Sequence, residues 1–248
     1  MATAAVPARV PRSFSGWSLY GDGRLCVRIP WSAATLAGFR EWVKSDGFPE
    51  KVRVTYVDGE IYYDMSNEEL ETHNQPKVEV LRVLVNLNRR LKLGKCYGDG
   101  ILLTHVAANV SNNPDATFIR RATLQSQRIR LVPRNGTADH YIEIEGTPDM
   151  VLDVVSNDSV RKDTRQLRGA YHKAGIPEYW LIDARRKEIS FQILHRQEDG
   201  YEAGNPGGWQ TSRVFRRDFR LVRRRDDMGL WEYTLQVRPS PASRKRKR

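Results

Sequence analysis

The stretch PDMVLDVVSND, residues 148–158, places a carboxylate inside an otherwise apolar run. Alternate side chains of an extended strand share a face, so Asp153 should point the same way as Asp149 and Val151. Moving an unpaired charge out of water costs several kcal/mol or more. Asp153 therefore requires a partner: a divalent metal ion, a buried arginine or a set of backbone amides. The residues alone leave this choice open.

Asp149 and Asp153 cannot readily share one metal ion. They stand four positions apart, which is roughly 13 Å along a strand, whereas each oxygen ligand of Mg²⁺ lies about 2.1 Å from the ion. The stretch NPDATFI, residues 113–119, offers Asp115 at the start of another strand. If the two strands pair antiparallel, the start of one lies beside the end of the other, and Asp115 and Asp153 can converge on a divalent cation.

The surrounding pattern predicts a mixed α/β fold. The stretch WSAATLAGFREWVKS predicts a first helix with Ser32 as its cap. Asp58-Gly59 predicts a tight hairpin whose second arm opens with Glu60. A long amphipathic helix is expected at 74–93, with Gly94 as its stop, and a second hairpin around Asn135-Gly136.

The most informative unit follows these elements. A strand at 149–155, a helix at about 159–174 closed by Gly175 and a strand at 178–184 form one crossover. Two strands joined in this way are normally parallel. Several short strands then suggest a β-rich C-terminal extension.

Composition limits the class of protein. The formal net charge is +11, and the last five residues, RKRKR, supply five of these charges. A basic surface attracts polyanions such as nucleic acid, although a charged tail can also serve only solubility or a protein partner. No apolar run is long enough to span a membrane, there is no secretory signal, and two cysteines are too few for a disulfide framework. We expect a soluble, cytoplasmic protein that does not contact a membrane.

At PDMVLDVVS and SVRKDTRQLRGAYHKAGIPEYWLIDA, the chain resembles the bacterial Uma family of restriction endonucleases, in the PD-(D/E)XK nuclease superfamily. The resemblance covers roughly residues 32–196 and is strongest at 148–183; VDGEIY at 57–62 and His73 also match family positions.

This resemblance implies a restriction-endonuclease-like three-layer α/β core, in which helices flank a mixed central sheet. We expect a flexible segment at 1–15, a domain at 16–237 that includes a β-rich extension at 197–237, and a disordered basic tail at 238–248.

The resemblance also implies an active site that binds Mg²⁺ or Mn²⁺. By position, Asp115 matches the first aspartate of the superfamily motif, Asp153 the acid of the next strand, and Glu60 an upstream glutamate. Asp149 is expected either to bind its own turn or to stand behind the metal ligands. His73 is expected to support the site by hydrogen bonding.

The lysine of the motif departs from the family pattern. Val155 occupies the superfamily's lysine position, and the family's alternative position on the following helix, one turn beyond Asp163, is Leu167. Lys162 is the nearest basic residue, but it lies five residues before Leu167, about 140° around an α-helix. Lys162 can still serve if it reaches the cleft from the first turn of its helix.

Two functions follow from the resemblance. The first is a metal-dependent DNA endonuclease that hydrolyses phosphodiester bonds, with Lys162 stabilising negative charge. The second is a catalytically inactive nucleic-acid-binding protein on the same fold. In both, basic residues of the long helix would grip DNA phosphates: Lys77, Arg89, Arg90 and Lys92. A homodimer is expected by analogy with nucleases that pair to cut both strands.

Overall fold

The computed structural model describes residues 13–14, 17–19, 25–49, 52–64, 66–134, 137–204 and 208–240. Within these residues the strands are β1 Ser13–Phe14, β2 Trp17–Leu19, β3 Leu25–Val27, β4 Arg53–Val57, β5 Glu60–Asp64, β6 Gly94–Gly98, β7 Leu102–His105, β8 Val110–Asn112, β9 Ala116–Arg120, β10 Ile129–Pro133, β11 Tyr141–Gly146, β12 Met150–Val154, β13 Glu178–Asp183, β14 Ser190–Arg196, β15 Tyr201–Ala203, β16 Gln210–Ser212, β17 Arg217–Arg225 and β18 Trp231–Pro239.

In the described residues the helices are fewer than the strands and include fewer residues in total. They are α1 Leu36–Lys44, α2 Gln75–Leu91, α3 Arg121–Gln125 and α4 Arg168–Lys173. A 3₁₀ turn, Trp31–Ala34, precedes α1, and π-helical turns at Leu70–Asn74 and Lys162–Leu167 lead into α2 and α4. Within the described residues, no helix is both long and apolar enough to cross a membrane.

A six-stranded mixed sheet in the order β15-β14-β13-β12-β9-β6 forms the centre of the domain. Strand β12 pairs parallel with β13, as the crossover pattern predicts, and antiparallel with β9. One face of this sheet packs against α2 and the β17–β18 hairpin through Leu84, Leu152 and Leu235. The other face packs against α4 and the second sheet through Val151, Tyr171 and Leu103. These layers confirm the predicted restriction-endonuclease-like core.

The second six-stranded sheet has the order β10-β11-β7-β8-β4-β5. Its β4–β5 hairpin turns at Asp58 and Gly59, with φ of 47° and 92°, and pairs Val57 with Glu60. Positive φ at both turn residues is the geometry that an Asp-Gly dipeptide favours. The prediction of this hairpin is confirmed.

Two helix boundaries differ from the predictions. The cap of α1 is Thr35, whose Oγ1 accepts a hydrogen bond from Gly38 N at 3.2 Å, because a 3₁₀ turn occupies the residues around Ser32. Lys92, at φ 52°, ends α2 in the left-handed conformation. Gly94 instead begins β6, where a Cβ atom would lie 1.9 Å from Ile119 O. Close strand approach, rather than helix termination, therefore requires this glycine.

The chain ends also bear on the predicted boundaries. Strand β18 continues to Pro239 and Ser240 is buried, so the ordered domain extends past the predicted start of the tail at residue 238. The rest of that tail, the hairpin turn Asn135-Gly136 and most of the segment 1–15 lie outside the described residues. The strands that flank this turn, β10 and β11, do pair antiparallel.

Candidate active site

Asp115 and Asp153 meet across adjacent strands. Strand β12 pairs with β9 through Met150–Phe118, Val151–Thr117 and Leu152–Ala116, and continuing this register sets Asp153 opposite Asp115. Asp115 Oδ2 accepts a hydrogen bond from Val154 N at 2.7 Å. Both carboxylates line one cleft, and their residues are only 7% and 4% exposed.

A buried hydrogen-bond relay holds Asp153 from the opposite side. Tyr171 OH donates to Asp153 Oδ2 at 3.3 Å, and Asn112 Nδ2 donates to Tyr171 OH at 2.7 Å. Thr55 Oγ1 in turn donates to Asn112 Oδ1. Each of these four side chains is buried. The relay joins the second sheet to the central sheet and fixes the direction of the Asp153 carboxylate.

Burial first, and then the neighbouring carboxylate of Asp163, raise the pKa of Asp153 to about 8, with a smaller contribution from Asp115 and with Lys162 opposing the rise. Burial also raises the pKa of Asp115, although His73 and the Val154 amide oppose the rise. Two buried carboxylates that resist ionisation together are stabilised by a cation placed between them.

Lys162 reaches this cleft. Its Nζ donates to Asp163 Oδ1 at 2.5 Å, and it lines the cleft together with Asp153. Burial alone would lower the pKa of Lys162, but Asp163 and Asp153 raise it, so the ammonium stays charged. Ser159 Oγ donates to the other Asp163 oxygen and fixes the pair.

Two serines, Ser156 and Ser159, form the start of the helix that carries Lys162. Ser156 N donates to Ser159 Oγ at 2.9 Å, and Ser159 N donates to Ser156 Oγ at 3.2 Å. The helix then becomes π-helical from Lys162 to Leu167. Hydrogen bonds from i to i+5 bring residues five positions apart to neighbouring places on the helix, so the 140° separation expected for an α-helix does not apply. Leu167 is itself 0% exposed and packs in the apolar cluster with Val155.

A second group of side chains adjoins Asp115. Glu68, His73 and Asp115 each offer one ligand atom, and these atoms lie within 4.8 Å of one another. His73 Nε2 lies 3.8 Å from Asp115 Oδ2, and His73 Nδ1 lies 3.8 Å from Glu68 Oε1. Among the described residues, His73 Nδ1 is buried without a hydrogen-bond partner. The π-helical turn at Leu70–Asn74 carries His73 into this position.

Lys77 also belongs to this group, which corrects the prediction that it contacts DNA from the helix surface. Its Nζ donates to Asp99 Oδ2 at 2.8 Å and to Glu68, and lies 3.6 Å from Asp115 Oδ1. Burial alone would lower the pKa of Lys77, but Asp99 and Glu68 raise it. Burial would raise the pKa of Glu68, yet Lys77, Asn74 and Arg53 lower it to about 2. Lys77 is therefore an internal cation among carboxylates.

The cleft fits a divalent metal ion. Glu68, His73 and Asp115 form the group whose ligand atoms lie close together, and the carboxylate of Asp153 lines the same cleft. Carboxylate oxygens are the hard ligands that Mg²⁺ and Mn²⁺ prefer, and the unpartnered His73 nitrogen is a ligand that transition metals accept more readily than Mg²⁺. Seven carboxylates line the cleft against three arginine or lysine side chains, so its charge also favours a cation. These carboxylates belong to Asp64, Glu68, Glu69, Asp115, Asp153, Asp158 and Asp163.

The structure does not bring Glu60 to these residues. Glu60 is exposed at the start of β5, where Tyr62 OH and Gln166 Nε2, the latter at 2.8 Å, donate to its carboxylate. Hydrogen bonds from Tyr62 and Gln166 lower its pKa. Glu68 instead lies beside Asp115, because Glu60 stands at the start of β5 and the lining of the cleft along this segment begins only at Tyr62.

Other predicted residues lie farther away. Asp149 stands at the opposite end of β12, where Arg120 N donates to its Oδ2 at 2.8 Å, so it ties the end of β9 to β12 rather than supporting the metal ligands. Arg89, Arg90 and Lys92 are exposed at the C-terminal end of α2, away from the cleft-lining residues.

The fold and the paired carboxylates define a restriction-endonuclease-like protein. The sequence profile of the Uma2 family, described as "putative restriction endonuclease", matches residues 37–222. This span is three quarters of the chain, so the protein belongs to the Uma2 family.

A solved structure agrees on the fold. It is the crystal structure described as a "putative nuclease belonging to DUF820" from Anabaena variabilis ATCC 29413. It aligns with a TM-score of 0.52 at 16% identity and covers 73% of this chain and 90% of that chain. A likeness at this identity concerns the fold alone. No curated protein matches the chain.

Proposed function

We propose that this protein is a Mg²⁺-dependent DNA endonuclease that hydrolyses phosphodiester bonds. The observation that carries the proposal is the pairing of Asp115 and Asp153 across β9 and β12, with the Lys162 ammonium in the same cleft. Membership of the Uma2 family supports a nuclease, and the acidic, buried site supports its dependence on a divalent cation.

Asp115 and Asp153 would hold the cation, with Glu68 and His73 on the adjoining side. When bound, Mg²⁺ or Mn²⁺ supplies Lewis-acid stabilisation of the charge that develops on the phosphate. Lys162 adds a fixed positive charge beside the scissile group. Tyr171 would keep the Asp153 carboxylate aimed at the cation, and the Lys77 ammonium offsets the repulsion between the neighbouring carboxylates of Glu68 and Asp115.

Supercoiled plasmid tests the proposal directly. Full-length protein with Mg²⁺ should nick the plasmid, and a chelator should stop it. Asp115→Asn and Asp153→Asn should each lower the nicking rate by on the order of 100-fold or more, because each removes a ligand charge.

The matched control is Asp199→Asn, which changes an exposed aspartate outside the cleft and should leave the rate unchanged. Nicking that survives both the chelator and Asp153→Asn would contradict the assignment of the site.

One observation favours a second candidate, a nucleic-acid-binding protein without catalysis. Val155 and Leu167 fill the two positions where a motif lysine is expected, and both are fully buried among apolar side chains. Intact plasmid together with retained DNA binding would support this candidate over the first.

We also propose a cytoplasmic location and a homodimer, the latter because cleavage of both strands needs two active sites. Sedimentation of the full chain with and without duplex DNA tests the dimer; a monomer on the duplex would contradict it.

A further inference from the structure

The β17–β18 hairpin contacts, on two sides, residues that adjoin the lining of the cleft. Trp231 N donates to Glu71 Oε2 at 2.7 Å, two residues before His73. On the other side, Arg223 Nη1 donates to Ala184 O at 2.7 Å, next to Arg185, which lines the cleft. Farther along, Leu235 N donates to Glu79 Oε1 at 2.9 Å and fixes the hairpin to α2.

Three consecutive arginines, Arg223, Arg224 and Arg225, stand at the tip end of β17. The hairpin as a whole, residues 217–239, carries six arginines against four acidic side chains, a net +2 of the chain's +11. The family profile ends at residue 222, so the three arginines of the tip lie beyond the matched span. Two of the acids are occupied within the hairpin: Asp226 accepts hydrogen bonds from Met228 N and Leu230 N, and Glu232 pairs with Arg224.

Two of the arginines near the tip stack on the Trp231 ring. The Arg225 guanidinium stacks over the Trp231 ring at 3.7 Å from its centroid, and that of Arg223 at 4.2 Å. Arg225 and Arg224 remain exposed, with side chains 52% and 78% accessible. Stacked guanidinium groups lose little freedom when they bind a phosphate, because the indole ring already limits their motion.

The cleft itself cannot attract a nucleic acid by charge, because its lining is acidic. A polyanion must therefore be held by cations outside the cleft, which neutralise its phosphates and release counterions. The hairpin tip supplies such cations. Arg186 and Lys187 are exposed as well, and their carbonyl oxygens accept hydrogen bonds from Arg223 Nη2.

The aromatic side chains of the hairpin favour a duplex over a single strand. Proteins that bind single strands commonly stack bases on open aromatic rings. Here the arginines cover the Trp231 ring and Tyr233 is buried. The apolar tip, by contrast, is exposed, with Met228 at 74%, and apolar side chains of this kind can enter a minor groove.

We propose that the β17–β18 hairpin is a clamp for the phosphate backbone of double-stranded DNA, which it guides across the acidic cleft. This inference deepens the proposed nuclease function and rests on it for its biological purpose, although the binding itself can be measured separately.

The test is the binding of a short labelled duplex to full-length protein in chelator, measured by fluorescence anisotropy over a range of salt concentrations. Arg224→Gln/Arg225→Gln should lower affinity roughly tenfold or more and reduce the salt slope by about 2, because each lost phosphate contact removes about 0.9. Arg224→Lys/Arg225→Lys keeps both charges and should keep the slope.

The matched control is Arg121→Gln/Arg134→Gln, which removes two exposed charges that do not line the cleft and should leave the slope unchanged. An unchanged slope in the hairpin variant, with its thermal unfolding intact, would overturn the clamp. Tighter binding to the single strand of the same sequence would overturn the duplex assignment.

Hydrolysis of bis(p-nitrophenyl) phosphate separates this inference from the proposed function. The hairpin variant should cleave this small diester like the unchanged protein, because no duplex is involved, whereas Asp153→Asn should not. If neither variant loses diester cleavage, the proposed nuclease site is refuted, and the clamp is then judged by the salt slope alone. If diester cleavage depends on Asp153 but the salt slope of DNA binding is the same with and without the two arginines, only the clamp is refuted.

Discussion

Replacing Asp153 with asparagine should stabilise the metal-free protein, increasingly so as the pH rises. On folding, the pKa of Asp153 rises from 3.8 to about 8, chiefly through burial and then through Asp163. Between these values the folded chain keeps a proton that the unfolded chain has lost, so the free energy of unfolding falls as the pH rises. Asparagine keeps the shape of the side chain and has no proton to lose.

The size of the effect follows from the pKa values. The complete loss, reached near pH 8, is on the order of 5 kcal/mol as an upper bound, and about 3 to 4 kcal/mol of it falls between about pH 5 and pH 8. For a chain of this length, that difference corresponds to roughly 10 °C in melting temperature. Few substitutions of a buried polar residue stabilise a protein, so a rise in melting temperature in Asp153→Asn would be informative.

The assay is thermal unfolding in chelator across this pH range for the unchanged protein, Asp153→Asn and the exposed control Asp199→Asn. The melting temperature of Asp153→Asn should separate upward from the other two as the pH rises. Mg²⁺ should then restore the stability of the unchanged protein and of the control, because it binds only where Asp153 remains. Parallel melting curves at every pH, or equal stabilisation of all three proteins by Mg²⁺, would refute the metal-binding role of Asp153.

Three further predictions address neighbouring features. Lys162→Met should lower kcat for plasmid nicking by on the order of 100-fold while the protein stays folded, since its ammonium lines the cleft with Asp153 and opposes the rise in the pKa of that carboxyl; an unchanged kcat would exclude a catalytic role for Lys162. Tyr171→Phe should destabilise the fold by about 1 to 3 kcal/mol in urea unfolding, because Asn112 loses a partner, and should move the acidic limb of the pH–rate profile to higher pH; an unmoved limb would leave Tyr171 a purely structural role. Gly94→Ala should destabilise the fold by at least about 2 kcal/mol through its clash with a strand carbonyl, whereas Gly169→Ala, in open space on a helix, should stabilise it by about 0.5–1 kcal/mol; equal effects would contradict the close approach.

The meeting of Asp115 and Asp153 was accessible from the sequence because it depends only on regular strand geometry. Residues 115, 117 and 119 share one face of β9, and Val151 and Asp153 share the matching face of β12. Antiparallel pairing then fixes which ends adjoin. The Asp58-Gly59 hairpin and the parallel crossover were predictable for the same reason.

The glutamate of the site was not predictable in this way. Glu60 occupies a regular position in a hairpin and was therefore easy to match to the family motif, but it stands at the start of β5, and the lining of the cleft along this strand begins only at Tyr62. Glu68 lies in the segment SNEELETHN, where three glutamates within four positions give no signal to distinguish them. Only the contacts of Lys77 and His73, both carried by the following helical turns, select Glu68.

The position of the lysine shows how helix geometry can mislead a reading of spacing. A spacing of five residues excludes Lys162 as a substitute for Leu167 only if the helix is an ordinary α-helix, and the segment Lys162–Leu167 is π-helical. In this geometry Leu167 fills the apolar layer while Lys162 reaches the carboxylates. Because Asp163 would otherwise be a further uncompensated charge beside Asp153, the lysine that precedes it has a structural reason to point into the cleft. The same ion pair therefore balances the charge of Asp163 and places an ammonium where the proposed phosphodiester hydrolysis would use one.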